Sequence, residues 1–160
     1  MQYLWYALAG FAVAGISFGV SQNFRSVAGG VVQDGEVTRL AACPGSPNCV
    51  SSYSGSGYAS LDPWHYGNAG QSVAHDALLT VLGRQSRVTI ETDEEHYVHT
   101  VWRSELFRFR DDVEFYFPED EPVVHFRSAS RVGQGDMGVN ERRMRTLGQD
   151  FQHTLEAQAD

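Results

Sequence analysis

The chain has 160 residues, 42% of them hydrophobic and 12% aromatic, with a formal net charge of −8. That length suits one domain with an appendage, and the apolar content excludes a disordered chain. The acidic balance offers nucleic-acid phosphates no attractive field, so nucleic-acid binding is not expected.

The first 24 residues carry no charged side chain, and residues 3–20 are apolar, aromatic or small except for Ser17. As a helix, such a run spans roughly 27 Å, close to the ~30 Å hydrocarbon core of a bilayer. Tyr3, Trp5 and Tyr6 at one end, and Phe24 with Arg25 at the other, suit interfacial anchoring. Gly15 and Gly19 give a small-xxx-small spacing that lets two helices approach. We expect a transmembrane anchor or uncleaved signal over residues 1–24. Two rivals stay open: cleavage after Ser26-Val27-Ala28, and a buried soluble helix.

Residues 25–39 read as a linker, with at most a short strand near 30–33. Leu40-Ala41-Ala42-Cys43 resembles a lipoprotein cleavage box but lies some twenty residues beyond the apolar run. The two cysteines, Cys43 and Cys49, flank Pro44-Gly45-Ser46-Pro47-Asn48. Turn formers of this kind bring two Cα atoms within disulfide range. A disulfide is the expectation, over reduced thiols and over a metal or catalytic use, for which the chain shows no complete ligand set or adjacent base. It would place the domain in an oxidising, extracytoplasmic compartment. Arg25 alone leans weakly the other way.

Residues 51–57 are Ser/Gly-rich and read as a loop, followed by an aromatic turn at 62–67 whose Trp64 and Tyr66 are expected to cap the core. Val73, Ala74, Ala77, Leu78, Val81 and Leu82 fall at helical spacing before Gly83. Strands are expected at 88–91, at 97–104, at 106–110, at 113–117 and at 123–130. A second helix is expected from Asn140, as its N-cap, to about residue 157, with Met144, Leu147, Phe151 and Leu155 on one side. The fold class is therefore α+β. It is expected to be an antiparallel sheet of about four strands with two helices on one face, forming a single domain over residues 40–160.

Three segments carry a family resemblance: Cys-Pro-Gly-Ser-Pro-Asn-Cys-Val-Ser-Ser at 43–52, Phe-Arg-Asp-Asp-Val-Glu-Phe at 109–115, and Arg-Ser-Ala-Ser-Arg-Val-Gly-Gln-Gly-Asp-Met-Gly-Val-Asn at 127–140. Together they resemble the bacterial and plastid family catalogued as domain of unknown function 1499, over about residues 40–157. The resemblance implies a small domain often preceded by a membrane or export segment, and implies no reaction. Where that family tends to carry Tyr-Ser, this chain has Gln134-Gly135, and Glu141 stands where a basic residue is usual.

The densest polar constellation is the run from His125 to Arg143. Alternation puts His125 and Arg127 on one strand face, with Val124, Phe126 and Ser128 on the other. Glu114 and Arg127 are expected as cross-strand partners, with Asp111 and Asp112 in reach of Arg131. Gly133, Gly135 and Gly138 permit close backbone approach. Arg127, Ser128, Ser130, Arg131 and Asn140 then make a candidate anion site for a carboxylate, phosphate or lipid headgroup. The competing reading is a closed structural network in which Asp111, Asp112, Glu114 and Asp136 neutralise the arginines. No nucleophile–base pair is fixed by spacing, and neither cofactor nor metal is expected.

The expected function is binding or scaffolding by a membrane-anchored extracytoplasmic domain, single-pass, with the membrane and an anionic small molecule or lipid as partners. The alternative is a hydrolase or transferase acting on an anionic envelope or lipid substrate. In that case His125, Asp111 or Asp112 would be acid or base.

Overall fold

A computed structural model of the chain describes residues 23–53 and 59–159. The region expected to form the membrane anchor lies mostly outside the described residues. Among those described, no helix is long and apolar enough to cross a membrane.

Two short strands, β1 (Val31–Asp34) and β2 (Val37–Leu40), form a separate hairpin. Its two-residue turn is Gly35-Glu36, with Gly35 in the left-handed region at φ 65°, as tight hairpins require. The main sheet is built from β3 (Cys49–Ser51), β4 (Ala59–Ser60), β6 (Val88–Glu94), β7 (Tyr97–Arg103), β8 (Arg110–Tyr116) and β9 (Val123–Ser130), in the order β4-β3-β9-β8-β7-β6. The two-residue β5 (Trp64–His65) pairs with β9. All these pairings are antiparallel except β3 with β4.

The sheet is thus larger than the four strands expected. The additional strands are two or three residues long, and no hydrophobic period shows in so few. Residues 106–109 are not a strand but a turn between β7 and β8, and Arg110 opens β8. Ser104 and Phe109 close it, through Ser104 N–H to Phe109 O at 2.9 Å and Phe109 N–H to Ser104 Oγ at 2.9 Å. Arg108 lies inside it at φ 53°.

Helices α1 (Gln71–Gly83) and α2 (Val139–Ala159) share one face of the sheet. Their apolar stripes, including Leu78 and Val81 of α1 and Met144, Leu147 and Phe151 of α2, meet Val98, Val113, Phe115, Val124 and Phe126 of the strands. Trp64 sits among Phe115, Phe126 and Phe151 with ring centroids 5.6, 5.1 and 5.5 Å away. Each such side chain contributes about 1.5–3 kcal/mol by leaving water.

Gly148 is what lets α2 lie this close. A Cβ there would stand 2.7 Å from Trp64 Nε1. Alanine gains about 1 kcal/mol in helix propensity over glycine, but overpacking a rigid buried ring costs about 1–3 kcal/mol. Gly148→Ala is therefore expected to lower the urea midpoint; a rise would show that the indole gives way freely.

Asn140 is not the N-cap. The Asp136 carboxylate accepts from the backbone N–H of Gly138 at 3.0 Å and of Asn140 at 2.8 Å. An acceptor there satisfies the first helical donors and complements the dipole. The Asn140 side chain is consequently free to work elsewhere.

Candidate functional site

The pleat sorts the polar residues onto two faces. Away from the helices point Tyr97 and His99 of β7, Asp112, Glu114 and Tyr116 of β8, and His125 and Arg127 of β9. Glu114 stands opposite Arg127, as expected, and Arg127 Nη1 meets Glu114 Oε2 at 2.6 Å. Both are buried, at 3% and 0% exposure. Arg131 forks onto Asp112, with Nε at 2.9 Å from Oδ2 and Nη2 at 2.7 Å from Oδ1. His99 Nε2 adds a contact to Asp112 Oδ1 at 2.8 Å.

A strap over this face comes from the stretch expected to be a linker. The Glu114 carboxylate accepts from Gly30 N–H at 2.7 Å, Gly29 N–H at 3.3 Å and the Tyr97 hydroxyl at 2.9 Å. Asp112 accepts from Val27 N–H at 2.8 Å and the Ser26 hydroxyl at 3.1 Å. Arg127 donates to Val27 O at 3.0 Å; its Nε has no acceptor among the described residues. Burial works to raise Asp112, but the bonds from His99, Arg131 and Val27 outweigh it and hold the carboxyl well below the usual carboxylate range. Burial, with the Glu114 carboxylate beside it, pushes the Tyr97 hydroxyl up.

Ser128 and Ser130 lie on the other face, against Asn140 of α2. The Asn140 amide donates to Asn48 O and to Ser130 Oγ, each at 3.0 Å. Its Oδ1 accepts from the Ser128 hydroxyl and from Arg143 Nη1, each at 2.5 Å. Arg143 also pairs with Asp111 at 2.5 Å and covers the Trp102 ring. Asn48, within the Cys43–Cys49 disulfide loop, donates to Gly133 O at 2.8 Å. The residues expected to form one anion site are therefore divided by the sheet, and their donors other than Arg127 Nε face protein acceptors. Asp111, Asp112 and Glu114 neutralise arginines, while Asp136 caps α2.

The three signature segments turn out to be neighbours: the disulfide loop leads into β3, β3 pairs with β9, and β9 pairs with β8. The chain belongs to the family described as a protein of unknown function, DUF1499. The match covers residues 39–151. Comparisons with curated proteins and with solved structures find no match.

In this DUF1499 domain an open cleft lies at the far end of the same outer face. It measures about 640 Å³ and runs between the β1–β2 hairpin, the β6–β7 turn and the β8–β9 turn. Tyr53, Tyr97, Tyr116, His96 and His125 contribute rings, and Glu36, Glu94, Glu119, Asp120 and Glu121 contribute carboxylates. Among the described residues, no arginine lines it. Tyr53 stacks on His125 with centroids 4.0 Å apart. His125 Nδ1 is committed to the Ser52 hydroxyl at 2.9 Å. Burial lowers the His125 imidazole to about 4, against the opposing pull of Asp120, so it is neutral at physiological pH. Burial pushes the Tyr53 hydroxyl up.

Of the acid–base candidates expected from the sequence, His125 is the one that lines this cleft. The Tyr53–His125 stack and the Ser52 hydroxyl join positions more than seventy residues apart; no local period signals them. Asp111 and Asp112, the other acid–base candidates, are engaged in ion pairs and do not line the cleft.

Proposed function

We propose that this chain is a membrane-anchored, extracytoplasmic binding domain that receives a cationic ligand in the aromatic cleft. The Arg/Ser/Gly hinge serves as its frame. The observation that carries this reading is the cleft's lining among the described residues: tyrosine and histidine rings, five carboxylates and no guanidinium. Ring faces and carboxylates both favour a cation, and together they repel an anion. The arginines that would have received an anion are buried against Glu114 and Asp112. The apolar run at residues 3–20 supports the anchor. The Cys43–Cys49 disulfide supports an oxidising compartment.

The test is a thermal-shift series on the full chain in detergent, with choline, spermidine and arginine against phosphate and citrate. A ligand at about a hundred times its Kd adds about 2.7 kcal/mol of stability. The amines are expected to raise the melting temperature, less so at high salt, and the gain is expected to vanish in Tyr53→Ala with Asp120→Asn. Stabilisation by phosphate alone, lost in Arg131→Ala with the fold intact, would return the site to the hinge.

One observation favours the hydrolase or transferase alternative: a neutral imidazole, oriented through Nδ1 by Ser52, in the wall of an open cleft. A general base needs that protonation state. Activity on an envelope or lipid ester that disappears in His125→Gln, with the melting temperature unchanged, would establish it.

A further inference from the structure

The end of the sheet opposite the cleft carries a different surface. The β7–β8 turn presents Leu106 at 79%, Phe107 at 67% and Phe109 at 48% exposure, and Phe24 of the strap is 61% exposed beside it. Phe107 and Phe109 stack on each other, 5.5 Å between centroids, so the turn offers water a continuous apolar tip. Exposed apolar clusters of this kind mark interaction surfaces.

The charge of this end departs from the rest of the molecule. Although the chain is acidic overall, Arg25, Arg87, Arg103 and Arg108 are exposed here, with Glu105 as the acidic residue of the turn. Arg110 lies over the Phe24 ring at 4.3 Å. An apolar tip ringed by arginines matches an anionic bilayer: rings enter the acyl boundary, and guanidiniums meet headgroup phosphates.

The path of the chain selects that partner. The apolar run at residues 3–20 ends three residues before Asn23. Asn23 is bound to this very turn, its amide donating to Arg108 O at 3.1 Å and its Oδ1 accepting from Arg110 N–H at 2.8 Å. Arg131 holds the Phe24 carbonyl from behind at 3.4 Å. With the anchor proposed above formed by that run, the bilayer surface would lie at the tip.

We infer that the β7–β8 turn is a second membrane contact, docking on an anionic lipid surface beside the N-terminal anchor. This rests on the anchor proposed above and adds an orientation. β8 runs from the turn to the cleft, and seven strand residues span roughly 20 Å, so the cleft opens away from the bilayer.

The native cysteines form a disulfide, so one added cysteine can be labelled selectively. The full chain is reconstituted in phosphatidylglycerol/phosphatidylcholine vesicles with an environment-sensitive fluorophore on Phe107→Cys or, as a control at the cleft end, Glu119→Cys. Flotation reads the anchor, and quenching reads the turn. The expected result is a chain that floats with lipid, a Phe107→Cys label blue-shifted and shielded from iodide, and a Glu119→Cys label fully quenched. Adding Arg103→Glu and Arg108→Glu is expected to restore quenching at position 107. A floating chain whose two labels are quenched equally would overturn the second contact and leave the anchor standing. A chain absent from the lipid fraction would bring down both.

Discussion

Glu114→Ala is expected to destabilise the domain by about 3–5 kcal/mol, the usual cost of removing one partner of a buried ion pair. The mechanism is specific. Glu114 is fully buried and accepts from Arg127, Tyr97, Gly29 and Gly30. Its removal leaves Arg127 charged and buried, with Val27 O as its remaining acceptor. It also releases the strap. Amide exchange at residues 27–30 should therefore accelerate more than exchange in the core of β8. The decisive variant is the double Glu114→Leu, Arg127→Met. Many buried ion pairs can be exchanged for apolar residues at little cost. Here the exchange is expected to stay well below the native urea midpoint, because the Gly29 and Gly30 N–H groups and the Tyr97 hydroxyl keep no acceptor. Full recovery in the double variant would mean that the carboxylate binds its arginine and little else, and the strap would need another explanation.

That pair also shows how far the sequence could be read. Period-two alternation places Glu114 and Arg127 on a common face once the two strands pair, and the register delivers the contact. The same rule separates Arg127 from Ser128. Grouping Arg127, Ser128, Ser130, Arg131 and Asn140 into one anion site followed the path of the chain and not its pleat. The helices were legible because their stripes recur at 3.6-residue spacing and meet a single sheet face. The disulfide was legible from Cys43, Cys49 and the turn formers between them. The strap was not, because it is held by backbone N–H groups of Val27, Gly29 and Gly30, and every residue but proline carries such a donor. Nor were β3, β4 and β5, which exist because β9, or in the case of β4 its neighbour β3, offers an edge. The cleft was hidden for the same reason. Its rings come from segments that only the finished sheet and hairpin bring together.

Acid should erode the domain's stability over two separable pH windows, and Asp112→Asn should abolish the lower one. The sign follows from proton linkage. Asp112 is held below its ordinary value of 3.8 when folded. The unfolded chain therefore takes up this proton first, and the stability that Asp112 contributes is present above about pH 4 and lost as pH falls below it. His125 acts in a higher window. Its folded value, about 4, lies below the ordinary 6.5, so its contribution is complete above 6.5 and drains away as pH falls toward 4. Both groups make stability rise with pH, but over different ranges. His125→Gln should flatten urea stability between pH 6.5 and 4 and leave the limb below 4 intact. Asp112→Asn should do the reverse. It should also cost about 3–5 kcal/mol at neutral pH, because the buried Arg131 then loses its charged partner. Urea midpoints at half-unit pH intervals for the native chain and both variants would resolve the two limbs. If Asp112→Asn kept the full acid limb, the carboxyl would not be the group that fastens Arg131, His99 and the strap to the sheet.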